Sequence, residues 1–180
     1  MTVEKLDRDR AALVVVDVQE AFRKALPEFE EVAAATETLV RGAAALGVPV
    51  VVTEQYPTGL GRTVDRIADA LPDGTTPVEK VRFSATEAEG FDLAGRDQAL
   101  VCGIETHVCV NQTTLDLLGE GVGVQVAIDA VGSRTPENKA LGLERMKDAG
   151  AGLTSVETAL FELLGGSDAA EFKQVQALVM

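Results

Sequence analysis

Several stretches of this sequence are almost entirely apolar and rich in valine. They lie at residues 11–18, 48–53, 99–104 and 122–128. A strand with one face in water alternates apolar and polar residues, whereas a continuous apolar run is typical of a strand buried on both faces. Such strands occur in parallel sheets that helices cover on both sides, so these runs restrict the chain to that kind of fold.

The segments between the apolar runs have the residue spacing of helices. Residues 30–46 carry apolar side chains on one helical face, and Gly47 follows as a helix cap. Residues 54–62 contain Pro and Gly and are predicted to form a loop. Further helices are predicted at residues 63–71, 106–120, 136–149, 155–164 and 169–179, and short strands at 77–82 and 151–154. This alternation predicts an α/β protein with three α/β/α layers around a doubly wound, mainly parallel sheet.

Length and composition limit what the protein can be. The chain has 180 residues without an internal repeat or a linker, which predicts a single domain over residues 1–180. Its net charge of -13 repels phosphate backbones, so we expect no nucleic-acid partner. No apolar run approaches the roughly 18 residues of a membrane span, and the start of the chain lacks the apolar core of a signal peptide. Only 2 cysteines are present, and these features together predict a cytoplasmic protein without a membrane partner.

Polar and reactive residues follow the predicted strands. Asp17, Glu54 and Lys80 each stand near the end of a strand, and the segment that leads to Cys109 follows another. In doubly wound sheets, ligands bind outside the carboxyl ends of the strands. We therefore expect these side chains to gather at one edge of the sheet and to include the reactive groups of the protein.

Cys109 is the strongest candidate for a nucleophile. The predicted helix that begins near Thr106 places it in the first turn, where unpaired N–H groups and the helix dipole favour a thiolate. The same N–H groups could hold a developing oxyanion. The alternative is a buried cysteine that packs as a small hydrophobic side chain. That second interpretation fits Cys102, which lies inside an apolar strand.

His107 is the only histidine of the chain, and it is not expected to activate Cys109. Residues two apart on a helix do not face each other, and a single histidine excludes a site with two histidine ligands for a metal. Asp17 could instead serve as the general base, since a carboxylate after an apolar strand needs a partner. Lys80 could be that cation, within about 4 Å of Asp17. The alternatives are an Asp17 that caps a loop and a solvated Lys80.

Several longer motifs resemble those of the isochorismatase-like hydrolases. They are DVQEAF, VTEQYPTGLG, EKVRFS and GIETHVCVNQTTLDLL, and the resemblance continues over nearly the whole chain, with the isochorismatase domain-containing proteins as the nearest branch. The resemblance implies a six-stranded sheet and a catalytic triad of Asp17, Lys80 and Cys109. It also implies a cis peptide bond between Ile104 and Glu105, with the backbone N–H groups of Glu105 and Cys109 as the oxyanion hole.

Two departures from relatives narrow the expected chemistry. Nicotinamidases of this superfamily have an Asp-x-His metal site after the second strand, where this chain has Glu54, Gln55 and Tyr56. We therefore expect no metal and no other cofactor. True isochorismatases cleave a vinyl ether without a cysteine nucleophile, so the presence of Cys109 favours acyl chemistry on an amide, ureido or related carbonyl.

The resulting hypothesis is a cysteine hydrolase of a small molecule that works through a thioester. Six residues near the strand ends are predicted to contact the substrate: Gln19, Phe22, Gln55, Tyr56, Phe83 and Thr106. Two alternatives stay open, namely vinyl-ether hydrolysis and a binding or scaffold protein that kept the site without using it. The apolar content of 46% and the habit of the resembling family also predict a homo-oligomer, a dimer or larger.

The ionisation of Cys109 is predicted from two opposing influences. The helix N-terminus and Lys80 favour the thiolate, so the pKa of Cys109 is expected to fall below the free-cysteine value of about 8.5. Asp17 opposes a second negative charge, and the two groups should titrate as a coupled pair. Of the two possible resting states, we expect the neutral thiol, with Asp17 as the base during attack.

Overall fold

The computed structural model describes residues 4–180 and contains a six-stranded sheet in that range. The strand order is β3-β2-β1-β4-β5-β6, and every neighbouring pair is parallel. The strands are β1 (Ala11–Val16), β2 (Val50–Gln55), β3 (Val78–Lys80), β4 (Gln98–Ile104), β5 (Gly123–Gly132) and β6 (Gly152–Thr154). The predicted doubly wound α/β sheet is confirmed.

The helices connect successive strands and cover both faces of the sheet. They are α1 (Phe29–Leu46), α2 (Pro57–Leu60), α3 (Asp65–Ala68), α4 (Asn111–Gly119), α5 (Pro136–Asp148), α6 (Val156–Leu164) and α7 (Phe172–Val179). Short 3-10 turns occur at Glu20–Lys24 and Ala85–Glu87, and a π-helical turn at Thr106–Val110 precedes α4. The loop predicted at residues 54–62 contains α2, because Pro57 suits the first position of a helix.

Two apolar cores lie on opposite faces of the sheet, and β1 contributes to both. Leu13 and Val15 belong to the core under α1, α6 and α7, whereas Val14 and Val16 belong to the core under α4 and α5. All residues of β1 are buried. This double burial explains why the strand shows an apolar run rather than an alternating pattern.

The order of the strands reverses beside β1, and this reversal creates the crevice of the fold. The chain adds β2 and β3 on one side of β1 and then crosses to add β4 on the other side. The carboxyl ends of β1 and β4 therefore border the crevice in which such folds bind their ligands. Gly103 lets the two strands approach closely here: its φ is 119°, and a Cβ atom would fall on the carbonyl oxygen of Val16.

No helix within residues 4–180 combines the length and the apolar character that crossing a membrane requires.

Candidate active site

Asp17 lies directly after β1, at the carboxyl edge of the sheet. Its side chain is fully buried, and both carboxylate oxygens are paired. The hydroxyl of Thr53 donates to Oδ1 at 2.7 Å, and the ammonium of Lys80 donates to Oδ2 at 2.7 Å. The backbone of Asp17 is left-handed, with φ at 51°, a region that Asp tolerates better than most residues. The local fold thus turns this carboxylate into the crevice.

Lys80 ends β3 and extends its side chain towards Asp17. Its Nζ atom is 2.7 Å from Asp17 Oδ2, so the predicted ion pair is present. The ammonium also donates to Gln55 Oε1 at 2.7 Å and to the carbonyl oxygens of Phe83 at 2.9 Å and Arg82 at 3.2 Å. Because the side chain is almost completely buried, these oxygens replace the water that a charged lysine needs.

Cys109 lies in the π-helical turn between β4 and α4. The sequence predicts one continuous helix here, and that prediction is wrong at its start, since α4 begins only at Asn111. The N–H groups of Val108 and Val110 both donate to the carbonyl oxygen of Glu105, at 3.0 and 3.2 Å. Cys109 is 6% exposed, and the charges of both Asp17 and Lys80 act on its thiol.

The pKa of the Cys109 thiol is raised to about 12, from an ordinary value of 9.0. Burial is the largest cause, the negative charge of Asp17 acts in the same direction, and the positive charge of Lys80 opposes both. The predicted pKa below about 8.5 is therefore wrong, because burial and Asp17 outweigh the lysine and the helix N-terminus. A raised pKa agrees with the neutral thiol that we expect as the resting form.

Glu105 stands between β4 and the turn that carries Cys109. The peptide bond between Ile104 and Glu105 is cis, as the resemblance implies. The carboxylate of Glu105 accepts hydrogen bonds from the backbone N–H and the Nε of Arg134, both at 3.0 Å. Within residues 4–180, the backbone N–H of Glu105 has no hydrogen-bond acceptor. A free N–H is what an oxyanion hole requires, and the roles of Glu105 and Cys109 in such a hole stay a prediction.

Two of the predicted substrate contacts have side chains with no exposed surface, and their contact with a substrate stays a prediction. Gln19 is 0% exposed and uses its amide to hold the backbone of Gln55 and the carbonyl oxygen of Gly61. Thr106 is also 0% exposed, in the π-helical turn. Gln19 therefore supports the segments around the site, whereas the buried hydroxyl of Thr106 has no hydrogen-bond partner within residues 4–180.

The other four predicted contacts lie in three different environments. Tyr56 and Phe83 are exposed beside Lys80, where a ligand can reach them. Phe22 packs against the core on the α1 face. Gln55 is half-buried and bonded to Lys80. Substrate contact by these residues stays a prediction.

The ring of His107 contacts Ser133, and its absence from the predicted triad stays a prediction. The Nδ1 atom of His107 is 3.0 Å from the hydroxyl of Ser133, so the ring forms a hydrogen bond with the residue that follows β5. Sequence reasoning missed Thr53, which holds Asp17. The available clue was its position: Thr53 is a polar residue at the end of a valine run, and it pairs in register with Val16.

A family model described as the isochorismatase domain matches residues 11–158. This chain belongs to the isochorismatase family. The secreted isochorismatase effector Isc1 of Phytophthora sojae is 43% identical over 176 residues, with 94% of this chain and 84% of that protein covered. Isochorismatase domain-containing protein 2 of Homo sapiens is 37% identical over 172 residues, with 94% and 82% covered.

Solved structures confirm the isochorismatase-like fold. MAR1 ribonuclease from Caenorhabditis elegans has a TM-score of 0.93 at 38% identity, covering 98% of this chain and 92% of that chain. YcaC from Pseudomonas aeruginosa, with hexane-2,5-diol and covalent acrylamide, has a TM-score of 0.87 at 25% identity, covering 99% and 93%. Pyrazinamidase of Pyrococcus horikoshii in complex with zinc has a TM-score of 0.69 at 27% identity, covering 81% and 99%.

Glu54 occupies the position where the resemblance implies a metal ligand in nicotinamidases. Here its carboxylate is buried and already paired: it accepts from the N–H and hydroxyl of Thr63 at 2.6 and 2.8 Å and from Arg62 at 2.9 Å. No group of three or more His, Cys, Asp or Glu side chains converges as a metal site in residues 4–180. The carboxylate holds the loop after β2 instead.

Proposed function

We propose that this member of the isochorismatase family is a cysteine hydrolase of a small amide, ureido or related carbonyl compound. The observation that carries the proposal is the buried pair of Asp17 and Lys80, 2.7 Å apart, beside the thiol of Cys109. A carboxylate, a cation and a thiol together at the strand-end crevice provide a base, a positive charge and a nucleophile.

The reaction begins from the neutral thiol. Asp17 accepts the thiol proton as the Cys109 sulfur attacks the substrate carbonyl, and the backbone N–H groups of Glu105 and Cys109 stabilise the oxyanion. The tetrahedral intermediate collapses when Asp17 returns the proton to the leaving nitrogen, and the amine departs. Water, deprotonated by Asp17, then hydrolyses the thioester, and the proton returns to the Cys109 sulfur as the acid leaves.

Lys80 has an electrostatic role in this scheme. While Asp17 is ionised, the ammonium balances its charge inside the protein, and while the thiol loses its proton, the same ammonium favours the developing thiolate. Neither step requires Lys80 to release a proton.

The names of two structural neighbours support amide-like substrates. One neighbour is a pyrazinamidase, and another was solved with covalent acrylamide. A third neighbour is described as a ribonuclease, but RNA is a poor substrate for this chain. Its net charge of -13 repels phosphate, and its only histidine is paired with Ser133.

The proposal includes catalysis without a metal. The support is the donor set: Glu54 is already paired with Thr63 and Arg62, and Gln55 and Tyr56 supply no histidine beside it. Protein purified in metal-free buffer should hydrolyse its substrate at an unchanged rate after treatment with a chelator. Loss of activity on chelation and its recovery with zinc or iron would show that this part of the proposal is wrong.

We also place the protein in the cytoplasm and in a homo-oligomer. The first placement is supported by the free state of Cys102 and Cys109, since reduced thiols are typical of that compartment. A P. sojae relative is named a secreted effector, so the location needs its own test. Microscopy of the tagged protein with a cytoplasmic marker provides it.

The test of function is a panel of small amides and ureido compounds, with wild-type protein and three variants. Cys109→Ala and Cys109→Ser should abolish hydrolysis, while the control Cys102→Ala, a buried thiol on the other face of the sheet, should keep it. Mass spectrometry of trapped protein should show the acyl group on Cys109. Isochorismate cleavage that survives Cys109→Ala would instead establish the vinyl-ether reaction, and a folded protein inert towards all compounds would favour a binding role.

A further inference from the structure

The side-chain amide of Gln55 bridges the lysine of the site and the segment that follows β3. Its Oε1 atom accepts from Lys80 Nζ at 2.7 Å, and its Nε2 atom donates to the carbonyl oxygen of Val81 at 2.9 Å. Only one orientation of the amide fits, because an ammonium can only donate and a carbonyl can only accept. The bridge therefore requires an amide at this position.

The backbone of Gln55 is itself held by the fully buried Gln19. The N–H of Gln55 donates to Gln19 Oε1 at 2.8 Å, and Gln19 Nε2 donates to the carbonyl oxygen of Gln55 at 3.0 Å. Gln19 Nε2 also donates to the carbonyl oxygen of Gly61 at 2.7 Å. The loop after β1 and the loop after β2 are thus locked together around Gln55, which limits where its amide can lie.

From this network we infer that Gln55 is a positioning residue that holds the Lys80 ammonium against Asp17 and beside the thiol of Cys109. Gln55 is also a predicted substrate contact, and its amide is bonded to the lysine and to Val81. The inference uses the triad of the proposed function. It concerns the charges around the thiol, so it can be tested without any substrate.

The charged groups that face the thiol are Asp17 and Lys80. Nearby Glu79 and Arg82 have mostly exposed side chains, 57% and 74%, where water screens their charges. A change at Gln55 that loosens Lys80 should therefore make the Cys109 thiolate harder to form. Gln55→Glu should also make the Cys109 thiolate harder to form. The new carboxylate cannot donate to Val81, and its negative charge competes with Asp17 for the ammonium.

The experiment measures the rate of Cys109 alkylation by iodoacetamide against pH, with Cys102→Ala as the background. Gln55→Met and Gln55→Glu should each slow alkylation at pH 8 by about threefold or more, equivalent to a rise of about half a pKa unit. The control is Gln174→Glu, the same change of charge at an exposed position of α7, and its rate should equal that of the background. Rates for both Gln55 variants that equal the control would overturn the inference.

A double-mutant cycle separates positioning from a general effect on the fold. In a Lys80→Met background, Gln55→Met should cause no further change in alkylation rate, because the ammonium it positions is gone. An equal slowing in both backgrounds contradicts the inference. If Lys80→Met does not fold, Gln55→Met in the Cys102→Ala background remains the test, since it adds no charge beside the thiol. Hydrolysis plays no part in these rates, so an inactive enzyme with the expected alkylation pattern contradicts only the proposed function.

Discussion

The left-handed backbone of Asp17 makes the choice of substitution at this residue informative. Asp17→Asn removes the charge but keeps an oxygen for Thr53 and a residue type that tolerates a φ of 51°. We expect Asp17→Asn to lower the free energy of unfolding by about 3–5 kcal/mol, since Lys80 is left buried without a carboxylate partner. Asp17→Ala should lower the free energy of unfolding by at least about 1 kcal/mol more than Asp17→Asn, because alanine disfavours the left-handed conformation. Urea unfolding of the variants measures the difference, and equal stability would contradict a role for the backbone.

The ionisation of Cys109 should be visible in its reactivity. With a thiol pKa of about 12, the rate of iodoacetamide alkylation in the Cys102→Ala background should rise about tenfold per pH unit from pH 7 to 9, without a plateau. Asp17→Asn should raise the rate at pH 8 and Lys80→Met should lower it, because Asp17 raises the thiol pKa and Lys80 lowers it. A plateau below pH 8.5 in the native sequence contradicts the burial effect.

At the scale of residues, the sequence located the charged pair but not the side chains that support it. Asp17 and Lys80 could be predicted because the carboxyl ends of parallel strands share an edge, which requires only that the strands are parallel. The contacts of Thr53 and Gln55 depend on register and on the direction of each side chain, which a single sequence does not specify. The pKa of Cys109 was mispredicted because burial at that position outweighs the charge effects that the sequence reveals.

The packing of α5 on the π-helical turn depends on one glycine. A Cβ atom at Gly142 would lie 2.8–2.9 Å from backbone atoms of Thr106 and His107, so Gly142→Ala must push the helix away from the turn that carries Cys109. We expect Gly142→Ala to lower the free energy of unfolding by about 1–3 kcal/mol, which corresponds to a fall in Tm of several degrees. Gly119→Ala, at the end of α4 with open space around it, is the matched control.

Gly119→Ala should raise the free energy of unfolding by about 0.5–1 kcal/mol, because alanine restricts the unfolded chain more than glycine does. Thermal unfolding by circular dichroism distinguishes the two variants. Gly142→Ala with the same stability as Gly119→Ala would mean that α5 can move at no cost. Alkylation of Cys109 in Gly142→Ala should also change, since the moved helix contacts the turn itself.

At the scale of elements, apolar periodicity predicted the long strands and helices well. The predicted helix at residues 30–46 corresponds to Phe29–Leu46, with Gly47 as its left-handed cap. Failures occurred where hydrogen bonding departs from the regular pattern. The π-helical turn at Thr106–Val110 was predicted as ordinary helix, because both have similar apolar spacing, and the four-residue α2 is too short to show any period.

The charge and the exposed apolar side chains of the whole molecule lead to opposite expectations for assembly. A net charge of -13 makes two copies repel each other. Beside Lys80, however, Tyr56, Val81 and Phe83 are 55%, 74% and 52% exposed, which leaves a cluster of apolar side chains in water. Burying that cluster against a second copy would remove its apolar surface from solvent.

We expect burial of the apolar cluster to outweigh the repulsion between acidic copies. Light scattering at micromolar concentration should then show a dimer or a larger species. Because salt screens the repulsion between acidic copies, raising the ionic strength should shift the distribution towards the larger species. Val81→Asp should weaken association, since it places a charge in the apolar cluster and adds to the repulsion. Leu153→Asp is the control, the same type of change at a 39% exposed position on β6, at the other end of the sheet. A monomer mass for the native protein at every salt concentration contradicts the prediction, and equal weakening by both variants means that charge alone, rather than this cluster, controls assembly.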